Sequence, residues 1–166
     1  MNVQRTSKYF FLKLLRLKGS PHSIALGAGI GVFIGLTPTI PLHTVIILFL
    51  TLLTRTSFFA GLITSILVSN PLTYVPHYYL ALLIGNLVTP FHLNWDRVKQ
   101  VLDLVLADAS FEARLKPLLS IGYEAVVVML TGGITLSLPA AVITYYLCRS
   151  LVTSYRRRRR QKQILS

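Results

Sequence analysis

Three long stretches of this chain carry almost no formal charge, and that limits what it can fold into more than any other feature. Residues 19–54 and 56–95 contain no Lys, Arg, Asp or Glu, and residues 117–148 contain only Glu124. Soluble domains carry about a quarter charged residues. Here 13% of 166 residues are charged and 53% are hydrophobic, with the charges gathered between and beyond the apolar tracts. Tracts of this length and composition are suited to lipid. A single cysteine, Cys148, excludes an internal disulfide and with it a disulfide-stapled secreted fold.

The N-terminal residues Arg5, Lys8, Lys13, Arg16 and Lys18 precede an apolar tract without an Ala-x-Ala site, so the tract is expected to remain uncleaved. The segment 1–18 reads as a basic interfacial helix, with Lys13 and Arg16 on one side and Phe10, Leu14 and Leu17 on the other. Gly19 ends it, Ser20 is placed to cap the next helix, and Pro21 suits the first helical position, where its missing N–H costs nothing. Residues 19–148 then form one integral-membrane domain, and 149–166 a basic cytoplasmic tail. The formal charge of +12 also suits nucleic acid. The basic residues nevertheless flank apolar tracts and no nucleic-acid signature accompanies them, so anionic membrane lipid is the expected partner and nucleic acid is not.

The first two tracts are each interrupted. Residues 24–36 and 42–53 are apolar around Thr37-Pro38-Thr39-Ile40-Pro41, and 58–69 and 77–90 around Asn70-Pro71-Leu72-Thr73-Tyr74-Val75-Pro76. A 13-residue helix is about 20 Å long against a hydrocarbon core of about 30 Å, so such an arm does not span alone. The expected fold class is all-α: Pro-broken or re-entrant helical hairpins in two repeats, with Pro41 and Pro76 opening the second arms, plus a C-terminal transmembrane helix over 118–148. Trp95, Val98, Val101, Leu102 and Val105 recur at helical spacing behind Asn94, predicting an interfacial helix there.

Gly27, Gly31 and Gly35 are four apart and line one helix face, where small residues let a second backbone approach closely. Backbone freed by the prolines at membrane depth must be buried in protein or line a watery cavity. New helix N-termini there favour anions, and paired interrupted segments point to a substrate site in secondary transporters. The candidate substrate-binding set is thus Thr37, Thr39, His43, Asn70, Thr73 and His77, framed structurally by Gly27, Gly31, Gly35, Pro38, Pro41, Pro71 and Pro76. His43 and His77 lack a nearby carboxylate or cysteine, so no metal is expected; no cofactor is expected either. No paired carboxylate or nucleophile–base spacing is present, and the chain is not expected to be an enzyme.

Gly19-Ser20-Pro21, Ile24-Ala25-Leu26-Gly27, Gly31-Val32-Phe33-Ile34-Gly35, Thr37-Pro38, Leu42-His43 and above all Ser69-Asn70-Pro71-Leu72-Thr73 with Pro76 and Tyr78 resemble a bacterial membrane family known only as domain of unknown function two thousand and sixty-two. Pro41 departs from the glycine or other residue found in many members. The resemblance implies a small bacterial integral-membrane protein and no particular activity. The functional expectation is a multi-pass inner-membrane protein, a small transporter or lipid-handling protein with its site at the two breaks. The alternative is a non-catalytic membrane module that assembles with a partner protein or as a homo-oligomer. Basic residues near both chain ends and at Arg55 outnumber Arg97, Lys99, Arg114 and Lys116, which puts both termini and Arg55 in the cytoplasm and 92–116 outside.

Overall fold

A computed structural model describes residues 9–10, 12–39, 42–69, 71–106 and 123–164. The described residues are helical apart from short connections. After a helical stretch over 12–15 come α1 (Pro21–Leu36), α2 (His43–Leu53), α3 (Phe58–Val68), α4 (Pro71–Val88), α5 (Trp95–Leu106) and α6 (Tyr123–Ile164). The expected Pro41 and Asn70 lie outside the described residues.

Local chemistry explains where α1 begins. Gly19 takes φ +128°, which an L side chain rarely adopts, and turns the chain out of the N-terminal helix. Ser20 Oγ accepts from the Ser23 N–H at 3.1 Å, and Pro21 occupies the first turn. Behind this turn Leu14, on the expected apolar side, and Leu15, which is not expected there, are buried against Ile24, Cys148 and Val152, while Lys13 and Arg16 are exposed. Arg156 Nη2 donates to the Leu17 carbonyl at 2.9 Å, fastening the basic half of α6 to the end of the N-terminal helix.

The register between helices fixes their directions. On α1, Gly27, Gly31 and Gly35 face Ser57, Gly61 and Ser65–Ser69 in order, so α1 and α3 run parallel. A Cβ on Gly27 would overlap the Ser57 carbonyl, and one on Gly31 would overlap the Gly61 carbonyl and Thr64 Oγ1. This contact lets polar groups bridge backbones: Ser57 N–H donates to Ser23 O at 3.2 Å, and Thr64 Oγ1 to Ala28 O at 3.0 Å. The glycine face is therefore a helix-packing surface. A second one, between α4 and α6, lies outside the sequence reading: a Cβ on Gly132 would overlap the Ala81 carbonyl, and one on Gly85 the Val128 carbonyl. Pairings of Gly29 with Ala141 and of Gly133 with Pro38 show that α1 and α6 are antiparallel.

α2 returns from the end of α1 and packs on α1 and α3, with Ile47 and Thr51 against Gly61. Arg55, at φ +51°, makes the turn into α3 beside the start of α1. The second unit differs. α3 and α4 meet at a bend of 90°, and α4 packs along α6. A repeated hairpin is not shown. Pro76 does not open a helix as expected: α4 already starts at Pro71, and Pro76 lies within it, exposed, removing one backbone donor from the second turn.

α6 is 42 residues long and carries a stretch long and apolar enough to cross a membrane; only 22% of its most apolar window is buried within the chain, so most of that surface faces outward. The bent pair α3–α4 makes a second candidate span. α5 is held at the far end. Asn86 clamps the connection before it with both amide atoms, Nδ2 donating to Leu93 O at 3.0 Å and Oδ1 accepting from Leu93 N–H at 2.9 Å. Trp95 stands edge-on to Tyr79 at 5.3 Å, and Val98 is buried with Tyr78, Leu82 and Val128.

Candidate functional site at the helix breaks

The two breaks meet. Ser69, the last described residue before the second break, donates its hydroxyl to the Gly35 carbonyl at 2.8 Å and lies 3.3 Å from Nε2 of His43, just beyond the first. Nδ1 of the same ring lies 3.3 Å from Thr39 Oγ1. Ser69 gives its one proton to Gly35, and Thr39 Oγ1 also donates to the Thr37 carbonyl at 3.4 Å, so these contacts leave either ring nitrogen of His43 able to carry the proton.

Around this histidine the hydroxyls close the ends of helices. Thr37 Oγ1 donates to Phe33 O at 2.7 Å, one turn back in α1, and sits 3.4 Å from Ser137 Oγ of α6; both residues are buried. Thr73 Oγ1 donates to Val68 O at 2.5 Å, joining the α3 end to the α4 start. Pro38 rests on Gly133, where only hydrogen leaves it room. At about 1.5 Å per residue, Ser137 lies about 18 Å along α6 from Arg149, where the apolar sequence ends. The breaks are thus set deep along the apolar part of that helix.

His77 lies one turn beyond Thr73. It is 6% exposed and flanked by Tyr74 at 5.8 Å and Tyr78 at 5.0 Å between ring centroids. Neither of its ring nitrogens has a hydrogen-bond partner among the described residues, although the Thr73 backbone is near enough to act on the ring. It is also close enough to His43 for the two imidazoles to interact electrostatically. Thr37, Thr39, His43, Thr73 and His77 are thereby gathered from two separate tracts, and Asn70 lies outside the described residues. Ser69 and Ser137 belong to the same cluster, though neither is in the candidate set that the sequence suggests. Ser69 directly precedes Asn-Pro, which marks it, but nothing local marks Ser137.

A cavity of about 370 Å³ lies apart from this cluster, in the valley between α1 and α6. Its walls are apolar, from Leu26, Gly29 and Phe33 on one helix and Leu138, Ala141 and Val142 on the other. One end is closed by His22 and Tyr145, whose Nδ1 and hydroxyl oxygen are 2.8 Å apart. Among the described residues no three His, Cys, Asp or Glu side chains gather as a metal site would require.

These helices, their glycine contacts and the joined breaks lie within a stretch with a family counterpart. The family described as an uncharacterized protein conserved in bacteria (DUF2062) matches residues 4–161, and the chain belongs to it. No curated protein and no solved structure matches the chain.

Proposed function

We propose that this chain is a multi-pass protein of the bacterial inner membrane that handles membrane lipid without catalysing a reaction. The observation that carries the reading is the separation of polar and open regions. The hydroxyls at the breaks are occupied by backbone carbonyls, whereas the 370 Å³ cavity, apart from them, is lined by apolar side chains. A conduit for a small polar solute needs polar groups along its path, and a lipid chain needs the opposite. Deep broken helices, with their freed carbonyls closed by Thr and Ser, suit backbone buried in protein at membrane depth.

The test is reconstitution of the purified protein into vesicles, with movement of a fluorescent phospholipid and efflux of polar anions followed in parallel. Lipid movement above protein-free vesicles with anions retained is the expected result. Anion efflux without lipid movement overturns it in favour of a transporter, a reading whose support is the burial of the His77 ring at the junction of the breaks. The alternative of a module that assembles with a partner draws on α2, whose Val45, Leu48, Phe49, Leu52 and Leu53 form an exposed apolar face. Under that alternative neither assay responds, and the protein purifies as a complex.

A further inference from the structure

The valley between α1 and α6 has features that ordinary lipid contact does not require. Its floor is made by Gly29 and Ala141, and a Cβ on Gly29 would come within 3.2 Å of the Ala141 carbonyl. Larger side chains, Phe33 and Leu138 among them, rise on either side, so close backbone approach flanked by bulk leaves a channel along both helices. From His22 to Phe33 the channel follows α1 for about 16 Å at 1.5 Å per residue. That is about half of a 30 Å hydrocarbon core, the depth of one leaflet.

The two ends of the channel are unlike. The inner end stops at Phe33 and Leu138, near the helix breaks. The outer end carries His22, Tyr145 and Arg149: Arg149 Nη1 donates to the Tyr145 oxygen at 3.3 Å, and that hydroxyl meets His22 Nδ1. Lys18 and Arg16 are exposed nearby. The described carboxylates lie at the opposite end of the molecule. Glu124 opens α6, and Asp96 and Asp103 belong to α5, whose Val98 packs on Val128. Arg149 therefore faces a region without a carboxylate among the described residues.

We propose that this valley binds one acyl chain of an anionic phospholipid from the cytoplasmic leaflet, with the phosphate held by His22, Tyr145 and Arg149. The proposal rests on the membrane reading above and adds to it a position, a leaflet and a headgroup class. The lipid lies along α1 and α6, its tail over Gly29 and Ala141 and its end against Phe33. Its phosphate takes the Arg149 charge in a direct pair, and the Tyr145 hydroxyl remains oriented by His22.

Native mass spectrometry of the full chain, extracted in mild detergent and exchanged into equimolar phosphatidylglycerol and phosphatidylcholine, tests this. The wild-type protein should retain one phospholipid per chain and prefer phosphatidylglycerol by about fivefold, the worth of one Arg near an anionic surface. Val142→Trp fills the channel from its exposed side and should release the lipid while leaving the thermal transition in place. Arg149→Gln, at an exposed position, should keep a lipid bound but erase the headgroup preference. A folded wild-type protein without lipid, retention unchanged by Val142→Trp, or preference unchanged by Arg149→Gln overturns the proposal. So does a second copy of the chain seated in the channel, seen as a dimer that Val142→Trp abolishes. Cell fractionation separates the two failures: a chain absent from the membrane overturns the membrane reading, whereas a membrane-embedded chain without lipid overturns only the channel assignment.

Discussion

Gly31 and Gly61 meet across α1 and α3 with no space for a side chain on the first, since a Cβ there would overlap the Gly61 carbonyl and the Thr64 hydroxyl. Association of helices in lipid depends on such close packing, because lipid tails are as apolar as Leu and drive no burial. Gly31→Leu should therefore separate α1 from α3 and cost about 3 kcal/mol, the upper end for overpacking. Leu53→Phe, at a position 70% exposed, should be nearly silent. Thermal unfolding in detergent compares them, and equal midpoints would refute the close-packing assignment.

The Ser69 hydroxyl touches two groups at once, donating to Gly35 O at 2.8 Å and lying 3.3 Å from His43 Nε2. Ser69→Ala should destabilise the chain by about 1 kcal/mol, since both partners lose a contact in a half-buried setting. Nitrogen-15 spectra of labelled histidine give a second check. Ser69→Ala should shift the ring-nitrogen pattern of His43. An unchanged pattern would contradict the contact between the two side chains.

Arg55 shares one end of the molecule with Ser23, through the Ser57–Ser23 backbone bond, and with the Tyr145–Arg149 end of α6 through His22. Cysteines placed at 55 and 157 should react only from the cytoplasmic side of intact cells, and one at 96 only from outside, as the excess of Lys and Arg directs. Cys148 is buried and contributes little background. Labelling of position 55 from outside would reverse the topology.

Asn86 holds Leu93 by a two-point amide contact. Asn86→Ala should cost about 1 to 3 kcal/mol by leaving both backbone groups of Leu93 without their partner. Amide exchange should quicken over 91–98 and stay unchanged in α1 and α3. Uniform quickening over the whole chain would mean that Asn86 supports the global fold instead.

What the sequence displays well is local chemistry. Ser20 and Pro21 start α1, the four-residue spacing of Gly27, Gly31 and Gly35 defines a packing face, and Thr37-Pro38 ends a helix, because each depends on neighbours in the chain. The partners of that face are not displayed: Ser57, Gly61 and Ser65 are ordinary residues of an apolar run until the helices are laid together. Ser137 is hidden for the same reason, since one of several hydroxyls along a 42-residue helix gains its meaning from Thr37, a hundred positions away. The expected repeat rests on two similar proline patterns, yet α2 folds back on α1 whereas α4 leaves α3 at 90° to pack along α6. The long contact with α6 sets that direction, and proline spacing carries no record of it.

The direction in which each helix enters the junction of the breaks has an electrical consequence. α1 and α3 arrive with their C-terminal carbonyls at Leu36 and Val68, while α2 departs with its N-terminal amides from His43 and α4 with those that follow Pro71, which has no N–H of its own. Each helix end is equivalent to about half an elementary charge, negative at the C-terminus and positive at the N-terminus. Two of each sign at one place leave no net field at a distance, only alternating poles at close range. The attraction for anions expected from the helix starts alone is balanced by the helix ends beside them. A junction of four helix ends can then lie in a low-dielectric surrounding without recruiting a counter-ion, and what it selects is decided by short hydroxyl and imidazole contacts rather than by charge.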